Sequence, residues 1–197
     1  MMSASDRRIT AADILPYKTY AESRAARRAA MIPVKKNRRV SVGPFATFLF
    51  ENFGTMWLQV QEMLHIEKGG DAQIEGELET YNPLIPQGDE LIATLLLEIE
   101  DAVQREKILR TLGGIEESIA ISLDGETIPG TPTEYEDRTT PDGKTSSVHW
   151  IRFRFTPEQI ARFRSGAKAV LEIAHPNYGH MAVIPPDVRT ELAKDFA

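Results

Sequence analysis

The chain has 197 residues, 42% hydrophobic and 26% charged, with no cysteine. That composition is ordinary for a globular protein, and the length lets one domain bury a core without disulfide or metal support. The missing thiols exclude disulfides, catalytic cysteines, thiolate zinc sites and iron–sulfur clusters held by this chain's own residues. The net charge of −6 hides a split, because residues 1–40 carry +7 and residues 41–197 carry −13.

One domain is expected, with a basic helical arm over residues 1–38, a body over 39–197 and a loop-like stretch over 125–145. The charged N-terminus lacks an apolar segment of the signal-peptide kind. No uncharged apolar run reaches 18 residues, so a cytoplasmic protein without a membrane partner is expected. Arg24, Arg27 and Arg28 share a helical face, and Lys35, Lys36, Arg38 and Arg39 follow. A basic helix lying on the acidic body, or on that of a second copy, explains these charges more simply than a nucleic acid does. A homo-oligomer stays open.

In chain order, Thr10 can cap a short turn reaching Ile14, and Pro16 opens a helix over about 17–32 that Pro33 ends. Its stripe of Ala21, Ala25 and Ala29 predicts close docking on the body. Arg39–Val42 and Phe45–Asn52, broken by Gly43-Pro44, read as paired strands. Thr55 caps a helix to about Lys68 that is apolar on two sides, and after Gly69-Gly70 a helix runs from Ala72 to about Thr80. Glu90–Glu98 is a long buried strand, 101–112 an amphipathic helix with Val103, Ile108, Leu109 and Leu112 inward, and Ile115–Leu123 a strand. Ser147–Phe155 alternates as a half-buried strand, and Thr156-Pro157-Glu158-Gln159 is a capping box opening a helix that stops near Gly166. Strands over Ala169–Ala174 and Met181–Ile184 and a terminal helix from Pro185 complete the chain. Irregularly mixed helices and strands predict an α+β fold, with a mainly antiparallel sheet of six to seven strands packed against helices.

The strong chemical motifs are absent: no GxGxxG, Walker loop, HExxH, GxSxG or EF-hand loop occurs, so no enzyme class is assigned. Three weaker groupings remain. Glu62 and His65 have the Glu-x-x-His spacing of di-iron bundles, which need two such motifs where this chain has one. His175, Tyr178 and His180 share one turn, where the two histidines can converge on a divalent metal with Glu172 or His149. Histidine capping a turn before proline is the commoner arrangement, so no metal or cofactor is assigned. Arg39, Glu51, Gln59, Gln61, Glu62 and Asn82 gather where the hairpin meets the following helix. They form either a small-ligand pocket around Glu62 or an ion-pair network in which Arg39 meets Glu51 or Glu62.

Arg38–Pro44, Phe50-Glu51-Asn52, Gln59–Leu64, Tyr81–Pro86, Thr145–His149 and His175–Tyr178 together resemble the bacterial DUF3501 family over nearly the whole chain. The resemblance implies a role in redox or peroxide-stress metabolism, because members are often encoded beside rubrerythrin-like and iron–sulfur proteins. It makes such a protein the expected partner of an accessory or binding protein. A ligand- or metal-binding protein or an enzyme using the pocket around Glu62 is the alternative. The ligand-binding candidates are Arg39, Glu51, Gln61, Glu62, Asn82, His175 and Tyr178.

Overall fold

The computed structural model describes residues 7–133 and 138–197. Its helices are α1 (Tyr17–Lys36), α2 (Phe53–Glu67), α3 (Asp71–Tyr81), α4 (Ala102–Leu109), α5 (Pro157–Ser165) and α6 (Pro186–Leu192). The strands are β1 (Arg39–Val42), β2 (Ala46–Phe50), β3 (Glu90–Leu97), β4 (Ile119–Leu123), β5 (Glu126–Pro132), β6 (Val148–Arg154), β7 (Ala169–His175) and β8 (Tyr178–Val183).

The fold is α+β, and every strand pair is antiparallel in the order β1-β2-β3-β6-β5-β4-β7-β8. The sheet has eight strands, against the six to seven expected. The added strand is β5, in the stretch expected to be a loop, of which residues 134–137 lie outside the described residues. Its prolines disguise it. They are tolerated because β5 pairs with β4 only as far as Pro129 and then crosses to β6 at Gly130–Pro132, so neither ladder is long. A Cβ on Gly130 would stand 2.7 Å from the Ile151 side chain and 3.0 Å from the Ile119 carbonyl, so this crossing demands glycine.

The sheet curls until β1 lies beside β8, nearly a barrel. Alternate residues point inward: Val40, Val42, Phe48, Phe50, Leu91, Leu95, Ile121, Ile151, Phe153 and Leu171 make one core. Phe155, Phe163, Leu192 and Phe196 close its lower end. A second core lies outside the wall, where Tyr20, Met56, Trp57, Leu58 and Val60 pack with Ile9, Leu84, Ile85 and Ile92. Strands β2 and β3 therefore bury both faces, which is why they read as continuous apolar runs.

No ladder joins β1 to β8. Their junction is made by one side chain: the Tyr178 hydroxyl donates to the Val42 carbonyl at 2.7 Å and accepts from the amides of Phe45 at 3.1 Å and Ala46 at 3.0 Å. Gly43, at φ +71°, leaves room for it, since a Cβ there would come within 2.6 Å of the Tyr178 hydroxyl and the His180 ring. At the opposite end the fully buried Arg38 donates to the carbonyls of Phe50 and Glu51 and pairs with Asp195.

Several expectations are corrected. Helix α1 continues through Pro33 to Lys36, because the carbonyl freed by proline belongs to Ala29 on the solvent side. Ala21, Ala25 and Ala29 are exposed; the helix docks through Tyr20, Arg24 and Met31. Asn52, not Thr55, caps α2: its side chain accepts from the Thr55 amide at 3.0 Å while the Thr55 hydroxyl accepts from the Asn52 amide at 2.9 Å. Val103 on α4 faces solvent, Ile66 on α2 likewise, and Ile115–Ser118 is a 3-10 turn before β4. Strand β8 starts at Tyr178 and not at Met181, so His175 and Tyr178 flank a two-residue hairpin turn and His180 lies in the strand, outside the turn expected to hold all three.

Replacing Tyr178 by Phe keeps the ring but strands two amides and a carbonyl. The expected loss is about 1–3 kcal/mol, read by urea unfolding. Unchanged stability would show that the seam does not depend on the hydroxyl.

Candidate functional site

The six polar residues expected around the hairpin do not converge. Arg39 pairs with Glu98 at 2.5 Å on the surface, so its expected pairing with Glu51 or Glu62 is overturned: its strand alternation turns it outward. Glu51 is buried and accepts from the hydroxyls of Thr55 and Thr94, each at 2.5 Å; burial pushes its carboxyl up from the ordinary value. Asn82 clamps the N-terminal segment, accepting from the Ile9 amide at 2.7 Å and donating to the Ile9 carbonyl at 3.0 Å. Gln59 reaches the Tyr81 hydroxyl at 3.5 Å. These are structural contacts.

The turn histidines are placed differently as well. His175 faces the Gly113 carbonyl through Nε2 at 3.2 Å and accepts from the Asn177 amide through Nδ1, so both ring nitrogens are engaged. Tyr178 serves the seam, and His180 is an exposed ring packed against it. Among the described residues no group of three histidine, aspartate or glutamate side chains could hold a metal ion. His149 is buried inside the barrel mouth with Nε2 on the Ser146 carbonyl at 2.9 Å; its Nδ1 lies 3.6 Å from Glu116 Oε2. Burial there holds its pKa below the ordinary imidazole value.

Gln61 does stand at a cavity, whereas Glu62, the expected centre of the pocket, is not in its lining. Glu62 is held bidentately by Arg24, with Nε to Oε1 at 2.8 Å and Nη2 to Oε2 at 2.9 Å, and the Tyr20 hydroxyl donates to Oε1 at 2.6 Å. Arg24 above all, then the Tyr20 hydroxyl, outweighs burial and lowers the Glu62 carboxyl from 4.5 to about 2. Burial and the carboxylate in turn push the Tyr20 phenol well up. This cluster pins α1 to α2, and its Tyr20 lines a groove of about 640 Å³. The Ala11–Pro16 segment, Tyr17, Gln61, Leu64, His65 and the start of α3 line it.

Two atoms in the groove wall have no hydrogen-bond partner: Gln61 Nε2 and His65 Nδ1, both shielded from solvent. They sit one turn apart on the same face of α2, at i and i+4. Tyr17 stacks on the His65 ring at 4.9 Å and 15°, and Tyr20 meets it edge-on at 5.8 Å. The rest of the lining is largely apolar, from Ile14, Leu15, Leu64 and Ile74. A buried amide nitrogen without a partner costs folding free energy, whereas a ligand acceptor in the groove would satisfy it.

A family model described as a protein of unknown function, DUF3501, matches residues 8–196. The chain belongs to the DUF3501 family. Within its fold, the chain is similar to a crystal structure of a protein of unknown function from Burkholderia pseudomallei K96243. The two share 38% identity and a TM-score of 0.89, over 96% of this chain and 99% of that one. A comparison with curated proteins returns no match. Among the described residues no helix is long and apolar enough to cross a membrane.

Sequence reading finds Gln61 and Glu62 but misses Tyr20, Arg24, Tyr17 and Arg38. The four-residue spacing of Tyr20 and Arg24 on one face of α1 was the available signal for the first pair.

Because the Glu62 carboxyl is lowered in the folded state, its contribution to stability is complete above pH 4.5 and is lost as pH falls toward about 2. Glu62→Gln is expected to flatten that part of the stability–pH curve in urea unfolding, relative to wild type. Parallel curves below pH 4.5 would mean that the Arg24 pair contributes nothing to folding.

Proposed function

We propose that this chain is a small-molecule-binding protein whose site is the groove between the Ala11–Pro16 segment, α2 and the start of α3. The observation that carries the reading is the unpartnered Gln61 Nε2, in a residue only 2% exposed, on the wall of a largely apolar cavity. Ligand sites have this character: apolar walls, a few convergent polar atoms and a volume of hundreds of Å³. Glu62 supports the site by holding Arg24 and Tyr20 in place, rather than by meeting the ligand, since its two oxygens are already committed.

Native mass spectrometry of protein purified gently from its own cells tests this. One small-molecule adduct per chain is expected, and Ile74→Trp, which fills the groove, should remove it while leaving the folded charge-state distribution unchanged. A bare chain mass for wild type would overturn the reading.

A second reading, the accessory protein of a rubrerythrin-like or iron–sulfur partner, is favoured by the exposed cations of α1. Lys18, Arg28 and Lys36 face solvent, and α1 leaves its alanine stripe uncovered. Charge-driven docking weakens as salt rises. Co-purification of such a partner at low salt and its release at high salt are expected; no partner retained at low salt counts decisively against this reading.

A further inference from the structure

The groove has a polar pole as well as apolar walls, and that pole is built for negative charge. Three features meet there. Gln61 Nε2 and His65 Nδ1 are buried without partners one turn apart on α2. Gly70 and Asp71, at the start of the eleven-residue α3, line the same cavity; Gly70 is the N-cap at φ 66° and offers no capping side chain. The first amides of α3 thus present the positive end of a helix dipole to the groove. Arg24 and Arg28 of α1 both pair with the carboxylate of Glu62, the residue next to Gln61, and Lys68 lines the rim. The helix end alone would carry no site; the buried amide nitrogen facing the same cavity supplies the second, independent demand for an acceptor.

Resting on the proposed ligand-binding role of the groove, we infer that its ligand is a monocarboxylate with a compact apolar or aromatic body. The carboxylate accepts from Gln61 Nε2–H and from His65 in its Nδ1–H tautomer, with the α3 N-terminus opposite. The body lies against Ile14, Leu15, Leu64 and Ile74, and Tyr17 covers it from the His65 side. A single negative charge fits best, because Asp71 on the α3 lip repels a more highly charged group such as a phosphate dianion. Few donors also suit two oxygens better than four.

Methyl-resonance titrations at Ile14, Leu64 and Ile74 of the full chain test the class directly. The probes are phenylacetate and hexanoate beside their neutral amides, phenylacetamide and hexanamide. The acids are expected to shift these resonances and to bind roughly tenfold more tightly than the amides, the scale of one charge-assisted hydrogen bond. Gln61→Glu, equal in shape but negatively charged, should abolish acid binding and spare the amides. Gln61→Leu, which leaves no unsatisfied group, should weaken the acids to the level of the amides and guards against a misfolded Glu variant. Acids and amides binding equally would overturn the carboxylate and leave the ligand-binding groove standing. Acid binding indifferent to both Gln61 variants would overturn the assignment of the donors. Probes that shift none of the three methyl groups would overturn the carboxylate and, with a bare native mass, the groove itself; Gln61 would then be satisfied by water only.

Discussion

The wall of this protein closes on a phenol. Eight antiparallel strands bring the two ends of the sheet together, yet β1 and β8 share no ladder, and the Tyr178 hydroxyl supplies the bonds that an eighth pairing would have made. Everything outside the barrel depends on that closure. Once curled, the wall offers one outer face, around Ile92 and Trp150, on which α2 and the N-terminal segment build the second core. The groove is then the place where helices resting on a curved wall fail to meet, with the Ala11–Pro16 segment and the start of α3 spanning the gap.

Charge follows the same geometry. The basic arm is not a free tail, since Arg24 is spent on Glu62 and Arg27 lies over the Trp57 ring at 5.1 Å. A guanidinium committed to a carboxylate holds a helix against its neighbour; it also leaves a net positive environment where Arg28 adds a second cation to the same acid. Among the described residues, unpartnered buried polar atoms also occur at Arg38, Glu116, Thr133, His149 and Arg152, but those that line the groove belong to Gln61 and His65, while Glu51 and Asn82 have found partners within the chain.

Much of the fold is legible in the sequence because the strands obey their period and the helices announce their starts. The capping box at Thr156 and the alternation through Phe153 and Phe155 translate directly into structure. The failures have physical causes. Pro129 and Pro132 hide β5, which survives by changing partners in mid-strand. The alanines of α1 mimic a packing stripe because a small residue is as compatible with solvent as with a neighbour. Of the site, Gln61 and Glu62 were visible as polar residues on an apolar helix, but the partners of Glu62 come from α1, where the spacing of Tyr20 and Arg24 marks a shared face without saying which residue 38 positions on it meets.

The buried Arg38 has a consequence for the order of folding. Its guanidinium sits on carbonyls of β2 and the following residue, yet its countercharge, Asp195, lies 157 residues further along. Arg7 reaches the Asp195 carbonyl from the other direction, across 188 residues. A chain emerging from the ribosome can pair β1 with β2 early, but it must leave that cation wet until its last turn arrives. The barrel floor is thus a late, long-range assembly, and the hairpin at the chain's start waits for its far end before it can dry out.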